Sequence, residues 1–179
     1  AGARKLLQGR GMYLDDVRLP RLAHVVYFRS PHAHSRIKSL DLSKARQQPG
    51  VIGAFDGAAI AEFCTPWVGV LGHLKGIKSA VQHPVAIDRV CWQGEAVVAI
   101  VAETRRQAED ALDHVQIDWA PLPAVTDMKA SQRGDVVIHP DLGDNICFTR
   151  SLETEGFAEA FAKADVVVEK TYDFSRHTG

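Results

Sequence analysis

Residues 90–125 read VCWQGEAVVAIVAETRRQAEDALDHVQIDWAPLPAV, and the middle of that stretch decides the fold. The run AVVAIVA, 96–102, is apolar at every position, which predicts a strand buried on both faces in the centre of a sheet. Thr104 and Gln107 stand three apart just before the period changes, the spacing of a capping box, in which the N-cap alone contributes about 1 kcal/mol. Beyond them Ala108, Ala111, Leu112 and Val115 recur at i, i+3, i+4 and i+7, one apolar stripe for a helix that packs on the sheet. VQIDW, 115–119, alternates as a strand does and then meets Pro121 and Pro123, which end the pairing and close the domain. The unit is strand, helix, strand.

Upstream, LAHVVYF, 22–28, is rich in β-branched and aromatic residues and predicts a strand that ends where Ser30 is forced extended before Pro31. Asp41 is placed to cap a short helix, LSKARQQ, stopped by Pro49 and Gly50 before a second strand, VIGAF, 51–55. Asp56 then caps a helix running to Phe63. Residues 64–84 mix Pro66, glycines and histidines without period and predict a long surface loop. Downstream, 126–150 carries little pattern and predicts a linker. FAEAFAKA, 157–164, sets Phe157 and Phe161 four apart on a helix, and VVVEKTYDF, 166–174, predicts a strand with Val168, Tyr172 and Phe174 on one face. The order of elements is α+β, with a domain over 1–125, a linker over 126–150 and the start of a second domain over 151–179.

Composition narrows the function. The 179 residues are 46% hydrophobic and 24% charged, ordinary globular usage. The 21 basic and 22 acidic residues nearly cancel and are spread along the chain, giving no electrostatic reason to expect nucleic acid or an anionic membrane as partner. The longest apolar run, AVVAIVA, falls far short of the roughly 20 residues a membrane helix needs. Cys64, Cys91 and Cys147 are far apart and form no Cys-x-x-Cys pair for a cluster or structural zinc, so they read as reduced thiols. The opening AGARKLLQGRG lacks both the apolar core of a secretory signal and an initiating methionine. A cytoplasmic location is expected, or a periplasmic one if an export leader was removed.

The stretch FRSPHAHSRI, 28–37, raises the chemical question. His32 and His34 lie two apart, which on an extended chain puts both imidazoles on one side, roughly 6.6 to 6.8 Å apart along the strand. Zinc needs a third ligand and partners that fix each tautomer, and Asp41 is the sole nearby acid with a geometric claim. Two histidines alone do not complete that site. Arg29 and Arg36 suit a carboxylate or phosphate, although surface arginines are usually just solvated. QGRG, 8–11, has a Gly-x-Gly with no strand before it, unlike a dinucleotide site. In GDNICFTR, 143–150, Asp144 and Arg150 read as a structural turn rather than a catalytic pair, and Cys147 as a packing residue. No catalytic, cofactor-binding or metal-ligating residue is expected in this segment.

Three blocks carry a resemblance: GRGMYLDDVRLP (9–20), YFRSPHAHSRIKSLDLSKARQQPGV (27–51) and QGEAVVAIVAETRRQAEDALDHVQIDWAPLPAV (93–125). In that order they resemble the opening of the large, molybdenum-binding subunit of the molybdenum hydroxylases, the xanthine dehydrogenase, aldehyde oxidase and aerobic carbon monoxide dehydrogenase family. The resemblance implies an α/β hammerhead domain with a mixed sheet and short helices, followed by the truncated start of the molybdopterin-binding domain, whose entering strand TYDFSRHTG, 171–179, resembles. It implies a complete enzyme that hydroxylates an aldehyde or N-heterocycle with water-derived oxygen, or oxidises carbon monoxide. Molybdopterin would sit in the full-length subunit, and [2Fe-2S] clusters and usually FAD on partner subunits or domains. The catalytic glutamate of such enzymes would lie beyond residue 179, leaving this segment a scaffold that is inactive alone, with Arg29 and Arg36 helping to dock the neighbouring domain. Gln8 stands where the family commonly has Thr, Arg21 where Gly is frequent, and Glu95-Ala96 where a residue-Pro pair is usual. The alternative is an independent metal- or partner-binding module built on His32, His34, Arg29 and Arg36.

Overall fold

The apolar run at 96–102 is the strand Ala96–Ala102, and four of its residues, Val97, Val98, Ile100 and Ala102, are fully buried. The computed structural model describes residues 2–69, 71, 73–172 and 174, in two compact units, Ala1–Cys147 and Phe148–Gly179. In chain order the first unit contains α1 (Gly2–Leu7), β1 (His24–Arg29), β2 (Ser35–Asp41), α2 (Ser43–Arg46), β3 (Val51–Asp56) and α3 (Gly57–Ala61). There follow β4 (Trp67–Val68), β5 (Val81–Gln82), β6 (Arg89–Val90), β7 (Ala96–Ala102), α4 (Arg105–Leu112), β8 (Gln116–Pro121) and α5 (Met128–Arg133). The second unit carries α6 (Phe157–Ala162).

Two three-stranded sheets, ordered β1-β7-β3 and β6-β2-β8, share one core, and β4 pairs with β5 as a small ribbon. The mixed sheet that was expected is absent among the described strands, since every pair is antiparallel. The cause is topological: α4 leads from β7 not to a parallel neighbour but to β8, which belongs to the other sheet. Val98, Ile100 and Ala102 of β7 face inward with Val26 and Phe28 of β1, Ala54 of β3, and Ala108 and Ala111 of α4. From β2, β6 and β8 come Ile37, Leu40, Val90, Ile117 and Trp119. The helix stripe therefore lies where the sequence put it, although α4 ends at Leu112 and Val115 packs from the following turn.

Half of the capping box forms. Thr104 Oγ1 accepts the Gln107 backbone N–H at 3.3 Å, but the Gln107 side chain turns to the Thr104 hydroxyl at 2.7 Å rather than to its backbone. Asp56 caps α3 through Ala59 N–H at 2.8 Å, and the helix stops at Ala61, short of Phe63. Leu42 occupies the N-cap of the first short helix, while Asp41 Oδ1 accepts the Ser43 N–H at 2.9 Å from one residue earlier. Its hydrogen bonds with Ser43 hold the Asp41 carboxyl below the usual carboxylate range. β2 was not anticipated: SRIKSLD carries three charges among seven residues and shows only a broken alternation, because a register irregularity lies between Ile37 and Ser39. Arg21, at the position where glycine is frequent in the resembling family, has φ +61, the left-handed region that glycine enters without strain.

Residues 126–147, expected as a linker, fold back as part of the first unit. Asp127 caps α5 through Ala130 N–H, and Gly134, at φ 76, ends it. Asn145 then staples the return, donating to the Ser131 and Val136 carbonyls and accepting from Ile138 N–H. In the second unit Phe157 and Phe161 stack at 5.6 Å on α6, as their spacing requires. Residues 166–172 do not form the expected strand among the described residues, and Val166, Val168 and Tyr172 are exposed. Asp173 and the residues from Ser175 onward lie outside the described residues.

Candidate functional site

The segment that joins β1 to β2 holds His32 and His34, with Arg29 at the end of β1 and Arg36 on β2 flanking it. Ser30, 2% exposed, donates its N–H to Glu95 O and accepts from Gly94 N–H at its own carbonyl, so the strand end is pinned to the turn before β7. Its hydroxyl closes the turn, accepting from His32 N–H at 3.0 Å and donating to His32 O at 2.8 Å. The four candidate side chains then diverge. Arg29 donates to the Gly94 carbonyl at 2.9 Å and lies over the Tyr27 ring at 5.7 Å. His32 meets Trp119 edge-on, centroids 5.2 Å apart. His34, buried, reaches Pro123 O through Nδ1 at 2.7 Å while its backbone carbonyl takes the Leu122 N–H. Arg36 is exposed on β2, opposite Arg89 and Ala120.

That geometry decides the tautomer of His34. A proline carbonyl only accepts, so Nδ1 carries the proton, and in the neutral ring Nε2 is the bare nitrogen. Nε2 is buried with no hydrogen-bond partner. Among the described residues no three His, Cys, Asp or Glu side chains are grouped so as to hold a metal. The alternative reading, a module binding metal or an acidic partner through His32, His34, Arg29 and Arg36, thus lacks its geometry: the imidazoles serve Trp119 and Pro123, and Arg29 serves Gly94. These residues are the joinery between the two sheets.

A second polar cluster lies nearby, where β5, β6 and the turn before β7 meet the returning segment 126–147. A cavity of about 90 Å3 is lined by His83, Arg89, Cys91, Trp92, Glu95 and His139, among others. Glu95 accepts the Cys91 N–H at 2.6 Å. Burial raises the Glu95 carboxyl above its ordinary range against the pull of the Cys91 and Trp92 N–H groups and of Arg89. Burial likewise raises the Cys91 thiol, opposed by Arg89, which leaves it protonated and a poor nucleophile. His139 is pushed down by burial first and then by Arg89 and His34, with Asp141 opposing. His83 Nδ1 is buried without a partner. At about 90 Å3 the cavity is far below the roughly 300 Å3 at which small-molecule pockets begin.

The other sequence candidates resolve into structure. Gly9, at φ +66, follows α1 and turns the chain, with Gly9 N–H on Leu6 O and Arg10 N–H on Lys5 O, so QGRG is a helix stop. Asp144 pairs with Lys78 at 2.5 Å and accepts Ile146 N–H at 2.9 Å, an Asx turn, and the Lys78 hydrogen bond is the main cause that lowers its carboxyl. Arg150 lies in the other unit. Cys147 is exposed rather than packed, its backbone carbonyl accepting Lys78 N–H at 2.7 Å.

Comparison with known proteins fits this picture. Residues 8–123 match the family described as aldehyde oxidase and xanthine dehydrogenase, a/b hammerhead domain. The carbon monoxide dehydrogenase large chain of Afipia carboxidovorans is 31% identical over 96% of this chain and 22% of its own length. The nicotine 6-hydroxylase large subunit of Paenarthrobacter nicotinovorans is 34% identical over 94% of this chain and 20% of its own. In three dimensions, quinoline 2-oxidoreductase from Pseudomonas putida 86 superimposes with a TM-score of 0.85 at 34% identity, over 93% of this chain and 21% of that one. The chain spans about a fifth of the length of these relatives. With a fold, a sequence match and a register of elements that agree over residues 8–123, the chain belongs to the aldehyde oxidase and xanthine dehydrogenase family, of which it carries the hammerhead domain.

Proposed function

We propose that this chain is the scaffold-forming part of the large subunit of a molybdenum hydroxylase, an oxidoreductase whose cofactor and catalytic base are carried by other parts of the complete subunit. The observation that carries the reading is the agreement in fold and sequence over nearly the whole chain with large subunits five times as long. Relatives are named as carbon monoxide dehydrogenase, nicotine 6-hydroxylase and molybdenum-binding xanthine dehydrogenase subunits. The substrate is therefore carbon monoxide, an aldehyde or an N-heterocycle. By the same reading the hammerhead domain occupies 1–125, residues 126–147 strap back onto it, and the molybdopterin-binding domain begins within 148–179. The partners are the iron–sulfur and FAD subunits or domains that accept the electrons.

Neither the Gly9–Gly11 turn nor the cavity beside Glu95 and His139 fits a pterin cofactor. Such a group needs convergent backbone N–H donors in a closed pocket. Gly9 and Gly11 form one helix stop, and the cavity beside Glu95 and His139 measures only about 90 Å3. The role of these side chains is to join two sheets, not to hold the reacting atoms. No helix of the described residues is long and apolar enough to cross a membrane. Exposed free thiols at Cys64 and Cys147 suit a reducing compartment, which supports a cytoplasmic location.

Residues 1–179 and the complete complex should be purified side by side, assayed for molybdenum by elemental analysis, and tested for dye reduction with carbon monoxide, benzaldehyde and xanthine. The complex should hold molybdenum and turn over one class of substrate, the 179-residue chain neither. Stoichiometric molybdenum or turnover in the short chain would overturn the reading.

A further inference from the structure

We propose that the outward face of the β1-β7-β3 sheet, centred on Tyr27, Ala99 and Phe55, is the surface on which the remainder of the same large-subunit chain packs. The proposal rests on the functional reading above. Alternation along the strands sets the two faces: Val98, Ile100 and Ala102 point into the core, so Ala99 and Val101 point away from it, while Val97, at the start of the strand, is itself covered. Directly opposed residues in an antiparallel ladder share a face. Val25 and Gly53 therefore flank Val101, and Tyr27 and Phe55 flank Ala99. α4 and α2 pack on the inner side with the core. On the outer side Val25 is 50% exposed and Tyr27 and Phe55 are each 42% exposed.

A strand destined for water on one face alternates apolar with polar residues, and β7 does not; AVVAIVA is the composition of a strand covered on both faces. Its neighbours agree, for β1 contributes Val25 and Tyr27 and β3 contributes Phe55 to the uncovered side. The face is also shaped. A Cβ on Gly53 would come 2.7 Å from the Phe55 ring, so the missing side chain lets that ring lie back over the strand. Arg29 brings one charge to this face, its guanidinium lying over the Tyr27 ring at 5.7 Å while it donates to the Gly94 carbonyl. A largely apolar layer, continuous with a both-sided central strand, calls for a permanent cover. The relatives supply its source, since about four fifths of their large subunits lies outside the part matched by this chain.

The test uses Phe55→Cys and Tyr27→Cys, each combined with Cys64→Ser and Cys147→Ser, and follows the rate of maleimide labelling. Both positions are part exposed, so the variants should melt within about 2 °C of the parent. In the 179-residue chain the new thiols should label at the rate of an open site. In the isolated complete subunit they should label slower by about tenfold or more. Equal rates in the two proteins would overturn the proposal. So would protection that arises only on adding partner subunits, or protection already present in the short chain that grows with concentration and marks a second copy. Molybdenum content of the complete complex separates the failures: fast labelling with molybdenum present removes the docking face alone, whereas absence of molybdenum and turnover removes the functional reading with it.

Discussion

Ile100 and Val101 are adjacent on β7 and point to opposite faces, so truncating each measures how one-sided the core is. Ile100 is fully buried, between Val26 and Ala54 on the neighbouring strands. Ile100→Ala removes three carbons, about 2.4 kcal/mol at roughly 0.8 kcal/mol per buried methylene. Some cavity cost is added, giving about 3 kcal/mol within the usual 2 to 5. Val101 is only half-buried, and Val101→Ala removes two carbons, so its cost is about 1 kcal/mol or less. All three tryptophans, 67, 92 and 119, lie in the first unit, so their fluorescence in urea follows that unit alone. With an m-value of about 2 kcal/mol/M, the midpoint should fall by about 1.5 M for Ile100→Ala and by about 0.5 M or less for Val101→Ala. Equal shifts, or a fall below about 0.5 M for Ile100→Ala, would show that the inner face is misassigned.

Gly57→Ala should cost about 1 to 3 kcal/mol in the same assay, because its Cβ would fall 2.2 Å from the Ala86 carbonyl, a backbone atom that cannot swing aside. Arg21→Gly should raise stability by up to about 1 kcal/mol, a rise of about 0.5 M in the urea midpoint, since it relieves a left-handed φ of 61; a fall would mean that the Arg21 side chain outweighs the strain. His34→Ala removes a buried imidazole and its hydrogen bond to the Pro123 carbonyl and should cost about 1 to 3 kcal/mol, and zinc measured in His32→Gln/His34→Gln should equal that of the parent, near zero; stoichiometric parental zinc lost in the double variant would restore the metal reading. His139, whose pKa is depressed in the fold, contributes stability that is present above its unfolded value of about 6.5 and lost as pH falls through the folded value. His139→Gln should flatten that loss as pH falls below about 6.5, measured against the parent; Glu95, raised by burial, acts in the opposite sense in parent and variant alike.

What the sequence made legible was local. β7, α4 and the caps at Asp56 and Thr104 rest on period and on side chains acting within four residues, and these survive whatever the rest of the chain does. β2 escaped because an irregular register between Ile37 and Ser39 breaks the period that would announce a strand. The ribbon β4-β5 escaped because strands of two residues have no period to show. The return of 126–147 is held by Asn145 and by the Lys78 pair with Asp144, contacts that a window of sequence does not contain.

The polar clusters show the same boundary more sharply. His32 and His34 looked like a pair because they are two apart, yet the chain between β1 and β2 is a turn, not a strand, and the Ser30 hydroxyl closes it, accepting from His32 N–H and donating to His32 O. Once the i, i+2 geometry fails, each imidazole takes the nearest partner on β8 or just beyond it, Trp119 for one and the Pro123 carbonyl for the other. His83 and His139 carried no signal, one in a loop and one in a linker, and the cavity they share with Arg89 and Glu95 exists only because the chain returns to it. The groups whose pKa is shifted first of all by burial, His139 downward and Glu95 and Cys91 upward, lie at that return. Such shifts are often a sign of catalysis, but here neither a metal grouping among the described residues nor a substrate-sized space accompanies them. The physical account that remains is structural: polar groups buried where two sheets and a returning segment are joined.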